Sequence, residues 1–239
     1  MLQFIGCGSA FHTQLGNNAA CIKKGKSLFL IDCGSSTFER MQRSGLLQGV
    51  EQVFVLLTHT HPDHVGSLGD LIFYGYYSLG KLAEPTVTVL APDGLSIQPL
   101  LKGMGVEENT YELFSFKNQG EICCNDFFIQ YEAIPVTHVK TLNCFGYILH
   151  FENKTIYYSG DCNDIPLTIL QRLHKGDFSY FYQDTCKADY NGNVHLSLNK
   201  LNKLVKQEVR EKVYCMHLDE SFKKEEAEKL GFHVVKSII

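Results

Sequence analysis

The stretch Thr58-His59-Thr60-His61-Pro62-Asp63-His64, with Gly66 just beyond it, places three imidazoles and a carboxylate within six positions. Packing gives no reason for such a group, whereas borderline metals such as zinc favour imidazole nitrogen and carboxylate oxygen. The run before it, Val53–Leu57, is continuous, aliphatic and β-branched, and reads as a buried strand. That strand would fix one end of the loop, and helical character over Val65–Leu79 the other. In an extended loop side chains alternate, so His59 and His61 point to one side and can grip one ion together. Asp63 and His64 face elsewhere and can hold a second ion close by. The bland alternative is a histidine-rich surface loop with adventitious metal affinity.

Working outward, Leu2–Ile5, Ala20–Lys23 and Leu28–Ile31 are short apolar runs bounded by Gly or Asn, expected as hairpin strands. A helix over Ser36–Ser44 ends at Gly45. Thr86–Leu90 reads as a strand, followed by the turn Pro92-Asp93-Gly94 and a helix. Phe127–Pro135, Cys144–Phe151 and Thr155–Tyr158 form a second set of strands, with Asn153-Lys154 turning between the last two. Pro166–His174 is expected as a helix with Pro near its first turn, and Phe178–Tyr182 as a strand. Leu198–Val209 aligns Leu198, Leu201, Leu204 and Val205 on one helical face. Val213–Met216, a helix Lys223–Leu230 stopped by Gly231, and Phe232–Val235 complete the order. No linker, repeat or low-complexity segment interrupts it, so one domain over residues 1–239 is expected. The fold class is α/β: two strand-rich halves, stacked as two sheets with helices on the outer faces.

Composition limits the partners. Hydrophobic residues make up 44% of the 239, ample for a buried core, and charged residues 20%, which argues against wholesale disorder. Formal net charge is −4 and no basic run is present. A protein that tracks long nucleic acid carries a basic stripe, because neutralising phosphates releases counterions. Lys23-Lys24 and Lys223-Lys224 read as solvated surface. A small anionic substrate stays open, since bound cations would supply positive charge locally. Nine cysteines without a C-x-x-C spacing read as buried, reduced thiols in a cytoplasmic protein. Two of them, Cys162 and Cys215, neighbour candidate site residues. The N-terminal stretch lacks the basic flank and apolar length of a signal peptide, and no apolar run is long enough to span a bilayer.

The H-x-H-x-D-H pattern of His59, His61, Asp63 and His64 resembles the metallo-β-lactamase superfamily. The other motifs follow in that superfamily's order: His138 after Ile134-Pro135-Val136, Asp161 in Ser159-Gly160-Asp161, and His217 after Val213–Met216. Upstream, Ile31-Asp32-Cys33-Gly34 is similar to its D-C-G turn. The resemblance implies the αββα sandwich and two divalent metal ions, with zinc suited and manganese an alternative. It assigns one ion to His59, His61 and His138, the other to Asp63, His64 and His217, and Asp161 as the bridge. A water shared by the ions would lose a proton near neutral pH and attack, with Asp63 both ligand and catalytic residue. Asp32 is either a carboxylate orienting a ligand imidazole or a turn former.

Gly6-Cys7-Gly8-Ser9-Ala10, Asn17-Asn18, Phe145-Gly146-Tyr147, Gln183-Asp184-Thr185 and His195-Leu196-Ser197 resemble the RNase Z branch. There a carboxylate orients a histidine that protonates the departing oxygen. The resemblance gives those roles to Asp184 and His195, although Asp184 stands where that branch has the longer Glu. The competing reading of His195 is a helix-entry residue before an N-cap at Ser197. His12, His150, His174 and His233 read as surface or structural. In tRNA-processing members a long arm lies between the motifs matching His138 and Asp161; residues 139–160 leave no room for it. A compact chain of this kind looks like the anti-Pycsar proteins, which hydrolyse cyclic mononucleotides to nucleoside 5′-monophosphates, and which imply a homodimer. The substrate expected is therefore a small nucleotide. Rival readings are an RNase Z-like tRNA 3′-end endonuclease, a thioesterase or lactonase on the same fold, and a protein that sequesters nucleotide without catalysis. Phe73, Tyr74, Tyr76 and Tyr77 read first as a core or subunit contact, with base stacking as the alternative.

Overall fold

The computed structural model describes residues 1–239. In the first half, β1 (Gln3–Gly6), β2 (Ala19–Lys24) and β3 (Ser27–Ile31) form an antiparallel meander. Parallel strands β4 (Gln52–Leu56), β5 (Val87–Pro92) and β6 (Glu112–Phe116) extend it into a six-stranded sheet in sequence order. The second half repeats the scheme. β7 (Gln119–Cys123), β8 (Phe128–Pro135), β9 (Phe145–Phe151) and β10 (Lys154–Tyr158) form the meander. β11 (Tyr180–Asp184), β12 (Val213–Met216) and β13 (His233–Val234) then add in parallel, giving seven strands.

Strand alternation explains how the layers stack. On β3 and β4, Leu28, Leu30, Val53 and Val55 face a helix layer, while Phe29, Ile31, Phe54 and Leu56 face the other sheet. Both faces are buried, which is why these strands read as continuous apolar runs. The inner core joins those side chains to Ile129, Tyr131, Tyr147, Leu149, Ile156, Tyr158 and Tyr182. Outside the first sheet lie α1 (Thr37–Arg43), α3 (Leu68–Ser78) and α4 (Ile97–Gly103), buried through Met41, Leu68, Leu71, Ile72 and Leu101. The short α2 (Pro62–Val65) carries part of the histidine loop. Outside the second sheet lie α5 (Leu167–Lys175), α6 (Leu198–Leu204) and α7 (Lys224–Lys229), through Ile169, Leu173, Leu198, Leu201 and Ala227. The result is the αββα sandwich. No helix is long and apolar enough to cross a membrane, and all nine cysteines are free thiols, seven of them buried.

Five elements depart from the sequence expectation. The helix expected over Val65–Leu79 is two: α2 begins at Pro62 and ends before Ser67, whose φ of −111° is not helical and whose hydroxyl donates to Gly34 O. The helix expected to reach Val209 ends at Leu204, because Val205 turns extended before a 3-10 segment at Gln207–Lys212. The strand expected over Phe178–Tyr182 runs two residues later, which puts Asp184 at its very end. Strands β6 and β7 were not expected. They are the outermost strands of their sheets and mostly exposed, so their sequences carry polar residues that hide the strand pattern.

Candidate metal centre

Six candidate residues stand at or just past the carboxyl end of a strand: Asp32 after β3, His59 after β4, His138 after β8, Asp161 after β10, Asp184 at the end of β11 and His217 after β12. Parallel pairing of β3 with β4, and of β10, β11 and β12, brings these ends to one rim. His61 lies at the N-cap of α2, and Asp63 and His64 inside it, so the short helix aims them back across the loop.

The rim brings all seven expected ligands together as two groups. His59 Nε2 lies 3.0 Å from His61 Nδ1, and His138 Nε2 lies 3.3 Å from that same nitrogen. Asp63, His64, Asp161 and His217 form the second group, with donor atoms within 4.8 Å of one another. His64 Nε2 is 3.3 Å from both Asp63 Oδ2 and Asp161 Oδ1, and His217 Nε2 is 3.3 Å from Asp63 Oδ2. Asp161 stands between the groups: its Oδ2 is 3.4 Å from His217 Nε2, 3.8 Å from His138 Nε2 and 3.9 Å from His59 Nε2.

The far nitrogens of these imidazoles are held from behind. Asp32 Oδ2 accepts from His64 Nδ1 at 2.8 Å, while both of its oxygens receive donors from Thr58, the backbone N–H and the hydroxyl, each at 2.8 Å. Thr58 Oγ1 also lies 3.0 Å from His59 Nδ1. His138 Nδ1 lies 2.9 Å from Val194 O. Asp32 adopts φ 64° and His217 φ 57°, left-handed conformations that surrounding bonds must sustain. The His217 N–H donates to Asn18 Oδ1, and Asn18 in turn donates to Tyr158 OH at 2.8 Å. Thr58, Asn18 and the carbonyl of Val194 were not assigned roles from sequence. Only the Asn17-Asn18 pair left a trace there.

His195 and Asp184 lie at the same rim. Asp184 Oδ2 accepts from His195 Nδ1 at 2.7 Å and from the Cys162 N–H at 2.9 Å, so the shorter carboxylate reaches the imidazole. The other oxygen, Oδ1, lies 3.4 Å from His217 Nδ1. One carboxylate therefore faces both histidines. His195 is also the helix-entry residue, because Ser197 caps α6 by accepting from the Lys200 N–H. His12 binds Leu218 O, and His150, His174 and His233 lie away from the rim.

Charge balance tests whether metal fits. Asp32, Asp63, Asp161 and Asp184 are buried, and within 4.0 Å their only cationic partners are histidines. Burial pushes these carboxyls up, but neighbouring imidazoles overcome it and hold Asp63, Asp161 and Asp184 below the usual carboxylate range. For the imidazoles burial opposes charge. It prevails at His59, which is held well below its ordinary value. It loses at His217, where Asp161 with Asp184 and Asp63 raises the value to about 10, and at His64 and His195, also raised. His64 Nε2, Asp161 Oδ1 and Asp184 Oδ1 are buried without a hydrogen-bond partner. Buried carboxylates short of counter-charge, with orphaned donor atoms aimed inward, fit divalent metal.

A cavity of about 620 Å³ opens onto the cluster. Its walls include Phe11, Glu39, His61, Asp161, His195 and His217. The aromatic group on α3 does not line it. Phe73 and Tyr74 pack on the core instead, and Tyr74 meets Phe38 at 5.5 Å.

Fold and cluster together define a metal-dependent hydrolase of the metallo-β-lactamase superfamily. Solved structures agree on the fold: YhfI from Bacillus subtilis superposes with a TM-score of 0.73 over 99% of this chain and 96% of its own, at 13% identity. The short form of human tRNase Z does so at 0.70 over 100% and 97%, at 14% identity. Within that class the chain belongs to the anti-Pycsar protein Apyc1 family, whose family model matches residues 1–237. Anti-Pycsar protein Apyc1 of Paenibacillus harenae is 28% identical over 225 residues, covering 90% of this chain and 88% of its own. That of Bacillus phage BSP38 is 27% identical over 236 residues, with the same coverage.

Proposed function

We propose that this chain is a dinuclear metal-dependent phosphodiesterase for small nucleotides, and that it opens 3′,5′-cyclic mononucleotides to nucleoside 5′-monophosphates. The observation that carries the reading is His195, on the wall of the cavity that the histidine–aspartate cluster faces, bonded from behind to buried Asp184 at 2.7 Å. A hydrolase of esters with good leaving groups needs no second acid there, whereas a departing alkoxide does.

His59, His61 and His138 would hold one ion, and Asp63, His64 and His217 the other, with Asp161 between them. The donors favour zinc, with manganese as the alternative. Two such ions supply Lewis acidity toward phosphoryl oxygens and acidify a water. The protein's own part is positioning and proton delivery. Asp32 and Thr58 fix the imidazoles of His64 and His59 so that Nε2 faces the cluster. Asp184 accepts a hydrogen bond from His195 Nδ1–H and stabilises its charged form, leaving Nε2–H to protonate the ribose 3′-oxygen as the P–O3′ bond breaks. Asp63 orients the attacking water.

Residues 139–160 are filled largely by β9 and β10, without space for an RNA-clasping arm, which favours a small substrate. Family membership supports the same substrate and a homodimer, and the buried thiols suit a cytoplasmic setting. The test is a panel of purine and pyrimidine 3′,5′-cyclic monophosphates, with metal content measured on the same sample. Linear 5′-monophosphate and about two ions per chain are expected. Bound but unopened nucleotide would mark a sequestering protein. Faster cleavage of precursor tRNA would mark an endonuclease. A thioester or lactone substrate indifferent to His195→Ala would mark another hydrolase. Each of these results overturns the reading.

A further inference from the structure

The cavity is walled by more than candidate ligands. Phe11 stands on its rim with 87% of its surface open to solvent, the most exposed of the large apolar side chains. Ala10 beside it, and Val139 and Val194 next to His138 and His195, add apolar surface to the same space. The ring belongs to the β1–β2 connection, which is pinned rather than free. Ser9 N–H donates to Leu218 O at 2.9 Å, His12 Nδ1 lies 3.1 Å from the same oxygen, and Leu218 N–H donates to Cys7 O at 2.9 Å. Leu218 follows His217, so the loop that carries Phe11 is tied to the strand end that carries a candidate ligand. At Gly8 a Cβ would come within 2.6 Å of His12 O, so the loop closes tightly there.

An apolar ring held open to water beside a polar reaction centre is placed to receive a flat, apolar face attached to an anionic group. A nucleotide has that form: the phosphoryl group seeks the cations, and the base is left to find an aromatic partner. We propose that Phe11 is the stacking platform for the nucleobase, a role that rests on the phosphodiesterase reading above. Stacking uses the π-face that every base has, so the platform tolerates different bases. Glu39, whose carboxylate has only the exposed Arg43 at 3.3 Å as a partner, lines the same cavity.

The test compares wild type, Phe11→Ala and Phe11→Tyr, all metal-loaded, on 3′,5′-cyclic AMP and on base-free ribose 3′,5′-cyclic phosphate. Phe11→Ala is expected to raise KM for cyclic AMP on the order of tenfold, with kcat changed less than about threefold and the base-free substrate unaffected. Phe11→Tyr is expected to behave as wild type. Calorimetric binding of 5′-AMP against ribose 5-phosphate reads the platform independently of turnover: Phe11→Ala should weaken the first and leave the second. An unchanged KM and AMP affinity overturns the proposal. So does an equal loss on both substrates, or a loss that sedimentation traces to dissociation of subunits. If wild type opens neither cyclic phosphate yet AMP binding depends on Phe11, the phosphodiesterase reading fails while the platform stands.

Discussion

Replacing Asp184 by Asn keeps size and shape but removes one acceptor and the negative charge that faces two imidazoles. Oδ2 lies 2.7 Å from His195 Nδ1 and Oδ1 3.4 Å from His217 Nδ1. At an effective dielectric constant near 20, unit charges 2.7 Å apart attract by about 6 kcal/mol before desolvation is subtracted. Hydrogen bonds to charged groups keep about 1.5–3 kcal/mol net, or roughly 10- to 150-fold. With the amide carbonyl toward His195 and Cys162 N–H, its NH2 faces His217 Nδ1. That forces the His217 proton onto Nε2, the nitrogen aimed at Asp63 and Asp161. Two effects should separate. In metal-saturated enzyme kcat falls about 100-fold, within the range of a lost general acid. The limb on which His195 loses its proton moves to lower pH, because Asp184 is what raises that imidazole. Metal affinity falls about 10- to 100-fold, as expected when a partner behind a ligand is lost. His195→Ala should lose activity but keep its metal, and the double variant should be no slower than His195→Ala alone. Steady-state rates from pH 5 to 9, with metal retention under graded chelator, measure both. Wild-type rate and metal content in Asp184→Asn would refute the reasoning. If His195→Ala shed metal as readily as Asp184→Asn, the link through His217 would fall.

Stripping metal with a chelator should lower Tm by about 10 °C: ligand at a thousand times its Kd stabilises by about 4 kcal/mol, worth roughly 2–4 °C per kcal/mol at this size. An unchanged melting curve would show that the buried carboxylates need no cation. Gly34→Ala should disorder the histidine loop, since a Cβ there would lie 1.9 Å from Asp63 O, and its metal content, by elemental analysis, should drop even where the fold survives. Burial pushes the thiols of Cys21, Cys33 and Cys215 to about 12. Unfolded thiols ionise near pH 8.5, so above that pH the folded state holds more protons, and stability, full below it, is lost as pH rises toward 12. Thermal melts from pH 7 to 11 should show this decline, and a thiol reagent at pH 8 should reach Cys123 and Cys124 but leave the seven buried cysteines untouched.

The sequence by itself determined the layer order and the ligand candidates. Buried strands such as β4 announce themselves as unbroken apolar runs, and a cluster such as His59–His64 has no packing explanation. Strands β6 and β7 escaped because outermost, exposed strands carry no such run, and the break at Ser67 escaped because it depends on Gly34, 33 residues earlier in the chain but bonded in space. The Asp184–His195 pair was legible only through resemblance, and its reach to His217 not at all. What the tertiary structure decided is distance: that Asp184 faces two imidazoles, that Asn18 holds the backbone of His217, and that Phe11 rather than the α3 aromatics stands at the cavity. Local periodicity reports which face of a strand is buried. Which side chains meet across strand ends depends on parallel pairing between segments remote in the chain, and no short-range pattern carries that information.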